Sequence, residues 1–391
     1  MMDSIMTTYG RLPVTFKRGE GSYLYDTDGK KYLDALCGIA VTSLGHAHPK
    51  IAEAISKQAS TLVHTSNLYH IENQTKLGDK LCQLSGMSNV FFANSGAEAN
   101  EAAIKLARLY GTNKGVENPH IVVMKGSFHG RTMATLSATG NKNIQKGFGS
   151  LLPGFTRVPY NDLDAVRRVA KKNEDIVAIL VEPVQGEGGV IVPEADYLKS
   201  LREICDKWGW LLMVDEVQTG MCRTGEWFGF QHSGIQPDVM TLAKALGNGV
   251  PIGACLAAES VNDVLKPGTH GSTFGGNPLS TSAALAVVET MAAADSKNKA
   301  SEMGEYLHGQ LTEALVDVAG VKLIRSKGLM LGIVLDKDCG ELVAQALEAG
   351  LLINVTAGNV VRLLPPLTLS QQEADEIVAT LKSLITAFLK L

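Results

Sequence analysis

Three stretches place chemically able side chains directly after short apolar runs. Val90–Ala93 leads into Asn94-Ser95-Gly96-Ala97-Glu98, a small-residue turn that opens a helix. Such a turn directs free N–H groups and the positive end of the helix dipole outward, and phosphate is the usual anion there. The same residues also fit a capped helix, with Ser95 as cap and Glu98 three positions on. Leu211–Val214 ends in Asp215-Glu216-Val217-Gln218. Buried without a partner these acids are costly, so they are either solvated past the strand end or held for a cationic ligand atom. In the stretch 238–254 a lone Lys244 stands among apolar residues ahead of a Gly-rich turn. Its amine either snorkels to solvent or sits desolvated, with the lowered pKa that suits Schiff-base chemistry.

Taken together, the three are the handles that pyridoxal phosphate needs. The cup takes the phosphate, Asp215 keeps the pyridine nitrogen protonated, and Lys244 forms the covalent link. Metal chemistry is not indicated. His46-x-His48-Pro49 has no third ligand nearby in sequence, and none of the nine histidines forms an HExxH pattern. The six cysteines, Cys37, Cys82, Cys205, Cys222, Cys255 and Cys339, are scattered and no two are three apart. That disfavours a zinc knuckle, a dithiol redox motif and a secreted disulfide scaffold.

The elements that must position these groups alternate along the chain. Strands are expected at Val90–Ala93, Ile121–Met124, Ile176–Val181, Leu211–Val214 and Gly253–Ala257. Between them, Ala99, Ala102, Ala103, Leu106, Ala107 and Tyr110 recur at helical spacing, and 196–208 reads as a second helix. Short apolar strands separated by helices imply a largely parallel sheet covered on both faces, with ligands at the carboxyl ends of its strands. Ahead of this, Tyr23-Leu24-Tyr25 and Lys31-Tyr32-Leu33 read as two strands about an Asp28-Gly29 turn. Behind it, helices at 283–294, 301–318 and 371–391 with strands at 321–325, 329–335 and 360–364 read as an α+β appendage. The expected division is an N-terminal segment 1–59 that joins the small domain, a large domain 60–282 and a C-terminal small domain 283–391.

Composition sets the class. Of 391 residues, 45% are hydrophobic and 19% charged, which supports a large core and excludes disorder for most of the chain. With 36 basic against 40 acidic residues the net charge is −4, so an electrostatic nucleic-acid binder is not expected. No basic-then-apolar leader opens the chain, and no apolar run is long enough to cross a bilayer. The expectation is a cytoplasmic, soluble protein.

The ordered motifs carry a resemblance that covers nearly the whole chain. LPVTFKRGEGSYLYDTDGKKYLD, ALCGIAVTSLGHAHP, FFANSGAEANEAAIKLAR, FHGRT, EPVQGEGGV, VDEVQTGMCRTG, TLAKALGNGVPIGA, STFGGNPL and VVRLLPPL stand in sequence. The chain resembles the class-III (ω-) aminotransferases of the pyridoxal-phosphate fold-type-I superfamily. The resemblance implies a large domain with a mostly parallel mixed sheet between helices, plus a small α+β domain from both termini. It implies pyridoxal 5′-phosphate as cofactor, with Lys244 as the Schiff-base lysine, Asp215 on the pyridinium nitrogen and Gln218 on the ring hydroxyl. Val217 and Phe128 would cover the two ring faces, and Ser95, Gly96 and Ala97 would cradle the phosphate. Thr273 would reach the phosphate from a partner subunit, which implies a homodimer with shared active sites.

Substrate residues follow from the same likeness. Arg131 would grip a substrate carboxylate through bidentate pairing. Arg362 would bind a second carboxylate, and Glu187 would mask it; Glu182 belongs to the same group. Asn67 and Tyr69 would line the substrate entrance. Cys222 and Asn248 stand where the family pattern usually has Gly, which puts the shape of the turn at Cys222 in question. The expected reaction moves the ω-amino group of N2-acetyl-L-ornithine to 2-oxoglutarate. N-succinyl-L,L-diaminopimelate, succinylornithine, ornithine and 4-aminobutyrate remain open as donors, and an intramolecular aminomutase as a different reaction. A non-catalytic module would have lost Lys244 or Asp215, and both are present.

Overall fold

Runs of branched apolar residues build the centre of the molecule. The computed structural model describes residues 4–390. Residues 1–3 and 391, which the sequence assigns to the N-terminal segment and the last helix, lie outside the described residues. Three strands come first, β1 (Phe16–Glu20), β2 (Tyr23–Asp26) and β3 (Lys31–Asp34). Seven follow: β4 (Asn89–Ala93), β5 (His120–Met124), β6 (Phe155–Val158), β7 (Ile176–Val181), β8 (Leu211–Asp215), β9 (Val239–Leu242) and β10 (Gly253–Ala257). The last five are β11 (Val321–Lys327), β12 (Met330–Leu335), β13 (Leu351–Leu352), β14 (Asn354–Thr356) and β15 (Val360–Leu363).

The seven form one sheet in the order β4-β10-β9-β8-β7-β5-β6. All run the same way except β10, which is antiparallel to both β4 and β9. Every residue of β7 and β8 is buried, as central parallel strands covered on both faces require. Alternate residues serve opposite cores. Val122, Ile179, Leu212 and Val214 join one apolar cluster, whereas Val123, Ala178, Leu211 and Met213 join another. The helix Gly96–Asn113 covers the second face with Ala102, Ala103, Leu106 and Ala107.

Two smaller sheets lie outside this one. β11-β12-β15-β14 is antiparallel throughout. β1-β2-β3-β13 brings the two ends of the chain together, because β3 pairs in parallel with β13 at Leu33↔Leu351. The expected hairpin is present: Leu24 faces Tyr32, and Asp26 Oδ1 closes the turn by accepting from Asp28 N and Lys30 N.

Several elements escape the sequence reading for local reasons. β6 reads Phe-Thr-Arg-Val, mostly half-buried at the sheet edge, so no apolar run marks it. The helix expected from 283 begins at Pro278, with Asn277 accepting from Ser280 N as its cap. The one expected from 301 begins at Ser296. Helices Pro49–Ala59 and Glu72–Ser85 carry narrow apolar stripes, Ile51 with Ile55 and Leu77 with Leu81, among polar and small residues. Among the described residues no helix is long and apolar enough to cross a membrane.

Candidate active site

β4, β8 and β9 run in the same direction, so the residues after each emerge at one end of the sheet. There they enclose a cavity of about 400 Å³ lined by Ser95, Gly96, Ala97, Phe128, Asp215, Val217, Gln218 and Lys244. Eight positions named from sequence thus meet in one place, and Arg131, Glu182 and Glu187 also line it.

The cup is a helix start. Ser95 caps the helix Gly96–Asn113 by accepting from Glu98 N at 3.2 Å, as the capped-helix reading expects. The Glu98 carboxylate turns to Asn94 instead, accepting from its N and Nδ2. Gly96 is needed for close approach: a Cβ there would stand 2.8 Å from Val217 Cγ1. The N–H groups of Gly96 and Ala97 have no intrahelical acceptor, and both residues line the cavity.

The paired acids separate by strand parity. Asp215 shares the face of Leu211 and Met213, toward the helix Gly96–Asn113. Its Oδ2 accepts from His129 Nδ1 at 2.7 Å and Asn100 Nδ2 at 2.8 Å, and its Oδ1 from Val217 N at 3.0 Å. Asn100 is oriented in turn by Thr241 Oγ1, which donates to its Oδ1 at 2.8 Å. Glu216 points the other way, accepting from Gly229 N and Phe230 N, and burial pushes its pKa up to about 7. Glu216 therefore organises the loop behind the strand.

Lys244 is partly buried against the cavity wall, with no ion-pair partner among the described residues. Burial, assisted by Arg362 and opposed by Glu187, pushes its pKa down from 10.5 to about 8. Its backbone φ of 46° is left-handed, a costly conformation for a residue with a side chain. Glu182 is 6% exposed and receives Phe128 N at 3.3 Å. Burial first, then the neighbouring Asp215, raises its pKa well above the usual carboxylate range, which favours an uncharged carboxyl.

Arg362 lies behind the cavity wall, on β15. It is wholly buried and donates from Nη1 to Glu187 Oε1 at 2.7 Å and to Gln218 Oε1 at 3.3 Å, and from Nε to Asn354 Oδ1 at 2.8 Å. Its Nη2 is buried without a partner. Glu187 remains 34% exposed at its side chain, so the pair has a mobile end and a fixed one. Arg131 is exposed, with its guanidinium 5.5 Å from the Phe128 ring centroid. Phe128, Arg131 and Glu187 also line an adjoining cavity that reaches Lys142 and Thr356.

Three named residues, Thr273, Asn67 and Tyr69, stand apart from the cavity within one chain. Thr273 is on an exposed loop beside Phe274, itself 61% exposed. Asn67 braces that loop, its Nδ2 donating to Ser272 O and Gly275 O at 3.0 Å each. Tyr69 is 68% exposed. His46 spends Nε2 on Asp34 Oδ2 at 2.8 Å. At Cys222 the backbone keeps the left-handed turn that Gly favours, with φ 67° and the preceding Met221 at 56°.

His129, Asn100 and Thr241 were not singled out from sequence. The signal was present for two of them. His129 sits between Phe128 and Arg131, both assigned, and Asn100 lies one turn into the helix that opens at Gly96. Thr241 reaches Asn100 only through β9, whose Val-Met-Thr-Leu is not marked as a strand by the sequence pattern.

An anion cup, a carboxylate fixed by three donors and an amine of lowered pKa form a binding set for a phosphorylated, nitrogen-containing ring. Comparison with known proteins agrees. Residues 5–385 match the family described as Aminotransferase class-III. The chain is 56% identical to acetylornithine aminotransferase of Nitrosomonas europaea over 389 residues, covering 100% of this chain and 99% of the relative. A structure of ornithine aminotransferase from Toxoplasma gondii, described with partial occupancy of PLP at its active site, superposes with a TM-score of 0.94. It is 33% identical, covering 98% of this chain and 92% of that one. Acetylornithine aminotransferase from Elizabethkingia anophelis superposes with a TM-score of 0.87 at 36% identity, covering 98% and 96%. With the match running almost end to end over a site of this composition, the chain belongs to the class-III aminotransferases.

Proposed function

We infer that the protein transfers the ω-amino group of N2-acetyl-L-ornithine to 2-oxoglutarate, giving N-acetyl-L-glutamate 5-semialdehyde and L-glutamate. The observation that carries the reaction type is Lys244, with its lowered pKa, in the same cavity as Asp215 and the Ser95–Gly96–Ala97 cup. The donor is supported by the end-to-end likeness to acetylornithine aminotransferase at 56% identity. The cofactor is pyridoxal 5′-phosphate, and the residues present fit it: an anion cup, a fixed carboxylate and an amine without an ion-pair partner. When bound it supplies an electron sink that lets an amino group leave one carbon skeleton and join another. The cup N–H groups and Ser95 would hold its phosphate, Asp215 its ring nitrogen and Gln218 its hydroxyl, with Val217 and Phe128 against the ring. Lys244 Nζ then takes and returns the proton at the substrate carbon. A panel of ω-amine donors with 2-oxoglutarate, compared by kcat/KM, tests the substrate. Acetylornithine should lead. A lead for N-succinyl-L,L-diaminopimelate, succinylornithine, ornithine or 4-aminobutyrate, or turnover without 2-oxoglutarate, overturns it.

Both substrates bring a carboxylate to Arg131, and only the dicarboxylate needs Arg362. With Glu187 on Arg362 the site suits a donor whose tail is a neutral acetamide; with Glu187 swung out it suits glutamate. Glu187→Ala should retain the glutamate half-reaction and weaken the acetylornithine one, changing the ratio of their kcat/KM values at least about tenfold. Arg362→Ala should weaken mainly the glutamate side, by about 2–4 kcal/mol for a lost charge-assisted pair. Single-turnover kinetics of each half-reaction measures both. Equal shifts in the two half-reactions would place the selectivity in the shape of the tail cavity.

The same reading makes the working unit a homodimer, supported by the exposed Thr273–Phe274 loop outside the cavity. Mixing inactive Lys244→Ala and Thr273→Ala proteins should restore activity, because one site of each heterodimer then carries neither change. No recovery despite demonstrated subunit exchange rules out the shared site. The reading also divides the chain into a large domain, about 60–282, and a small one from both termini, supported by the β3–β13 pairing.

A further inference from the structure

Residues 37–40 adopt a turn that L-amino acids avoid. Cys37, Gly38, Ile39 and Ala40 all have φ between 53° and 66°, four left-handed residues in succession. Three of them carry a side chain and are strained there, so the segment persists only where its surroundings hold it. Asp34 holds its start, its Oδ1 accepting from Leu36 N at 3.0 Å and Cys37 N at 2.8 Å. The turn delivers Val41, which lines the cavity. Past Val41, two anchors catch the chain. Arg223 Nη2 donates to Ser43 Oγ at 2.8 Å, and its Nη1 donates to Leu329 O and Pro365 O, which ties the segment to the C-terminal part. Asn248 ties it to the cavity: its Oδ1 accepts from Leu44 N at 2.8 Å and its Nδ2 donates to Gly45 O at 3.2 Å.

Asn248 is well placed for that task. It follows Lys244 by four residues and directly precedes Gly249, Val250, Pro251 and Ile252, which line the same cavity. Its own φ is 45°, which Asn tolerates better than most residues. One side-chain amide thus joins two walls that belong to distant parts of the chain. We propose that Asn248 is a positioning residue, which registers the Val41 wall against the Lys244 turn and so sets the room available to the amino donor. The identity of the donor rests on the aminotransferase reading; the clamp does not.

Asn248→Gly is the decisive variant. Glycine adopts φ 45° without strain, so the backbone turn is retained and only the two hydrogen bonds are lost. Three measurements on the holoenzyme read the result: steady-state kinetics, calorimetric binding of N-acetyl-L-norvaline, which is the donor without its ω-amine, and amide exchange across 36–45. Asn248→Gly should raise KM for acetylornithine about tenfold with kcat within threefold. It should weaken N-acetyl-L-norvaline to a similar degree, speed exchange at Leu44, and leave pyridoxal phosphate affinity within twofold. Asn248→Asp keeps the acceptor for Leu44 N and loses the donor to Gly45 O, so it should recover part of the KM. A KM and an N-acetyl-L-norvaline affinity within twofold of wild type in Asn248→Gly overturn the proposal. So does a fall in kcat with KM unchanged, which would place the effect on Lys244 itself. If acetylornithine proves not to be the donor, the leading amine of the donor panel takes its place in the kinetics, and Leu44 exchange still reads the clamp. Unchanged Leu44 exchange overturns it whatever the substrate.

Discussion

Lys244→Ala abolishes turnover and leaves the fold standing. No other lysine lines the cavity, so no second amine can take over the covalent link, and the other titratable groups there are engaged, His129 on Asp215 and Glu187 on Arg362. Loss of a positioned acid–base alone costs up to about 10⁴-fold, and loss of the covalent role removes what remains. Single-turnover kinetics with acetylornithine measures the loss, and circular dichroism checks the fold. An active Lys244→Ala protein, free of wild type, would remove the central claim. The substitution also has a signature in the apoprotein. Burial lowers the Lys244 pKa from 10.5 to about 8, so at pH 7, below both values, the charged amine costs the folded state about 3 kcal/mol. As pH rises from 8 toward 10.5 the folded form has already lost its proton while the unfolded chain still binds one. The penalty therefore fades and wild type gains stability that the variant cannot. Urea unfolding at pH 7 and pH 10 should show wild type improving relative to Lys244→Ala by about 2.5 kcal/mol, because pH 10 stops short of the unfolded value of 10.5. A constant difference would mean that the amine is not desolvated.

Much of this site is legible in sequence because its groups follow apolar strands. β7 and β10 match their expected bounds residue for residue, and β4, β5 and β8 differ by one residue at one end. The residue after such a strand points to the ligand end of the sheet, which is how Ser95 and Asp215 stand out, whereas Lys244 stands out as a lone amine among apolar residues ahead of a Gly-rich turn. What was hidden depends on contacts between distant segments. Asn100 lies 115 positions from Asp215 and Thr241 lies 141 from Asn100, and no local pattern announces either hydrogen bond. Asn248 is similar: in sequence it looks like a departure at a Gly-rich turn, and its bonds to Leu44 and Gly45, more than 200 positions away, give it a purpose. The four left-handed residues at 37–40 carry no composition signal, since only Gly38 favours that conformation. β13 and β14 are two and three residues long, below the length at which alternation can be read.

Asp215→Asn should weaken pyridoxal phosphate binding and slow the first half-reaction by about 10²- to 10⁴-fold. The estimate follows from removing one side of a buried charge pair, worth about 3–5 kcal/mol. The local hydrogen bonding shows why the amide is a poor substitute. Two oxygens of Asp215 receive three donors, His129 Nδ1, Asn100 Nδ2 and Val217 N. An asparagine has one oxygen to offer. If it faces His129 and Asn100, its NH₂ group meets the Val217 N–H; if it turns over, it meets two donors instead. The variant therefore loses the charge and strands at least one buried donor, which adds about 1–3 kcal/mol of its own. Asn100→Ala separates the two effects, because it keeps the charge and removes one donor. It should cost about tenfold, consistent with about 1.4 kcal/mol. The measurements are the pyridoxal phosphate dissociation constant and the rate of the first half-reaction. If Asp215→Asn loses less than tenfold while Asn100→Ala loses as much, hydrogen-bond geometry rather than charge is what Asp215 provides. Glu182 is a second buried carboxyl in the cavity wall, and its raised pKa, due to burial and then to Asp215, favours its uncharged form. Asp215→Asn removes that neighbouring charge, so it should lower the pKa of Glu182; burial, the larger cause, still opposes ionisation, and for that reason Glu182 is not expected to replace the missing carboxylate at neutral pH.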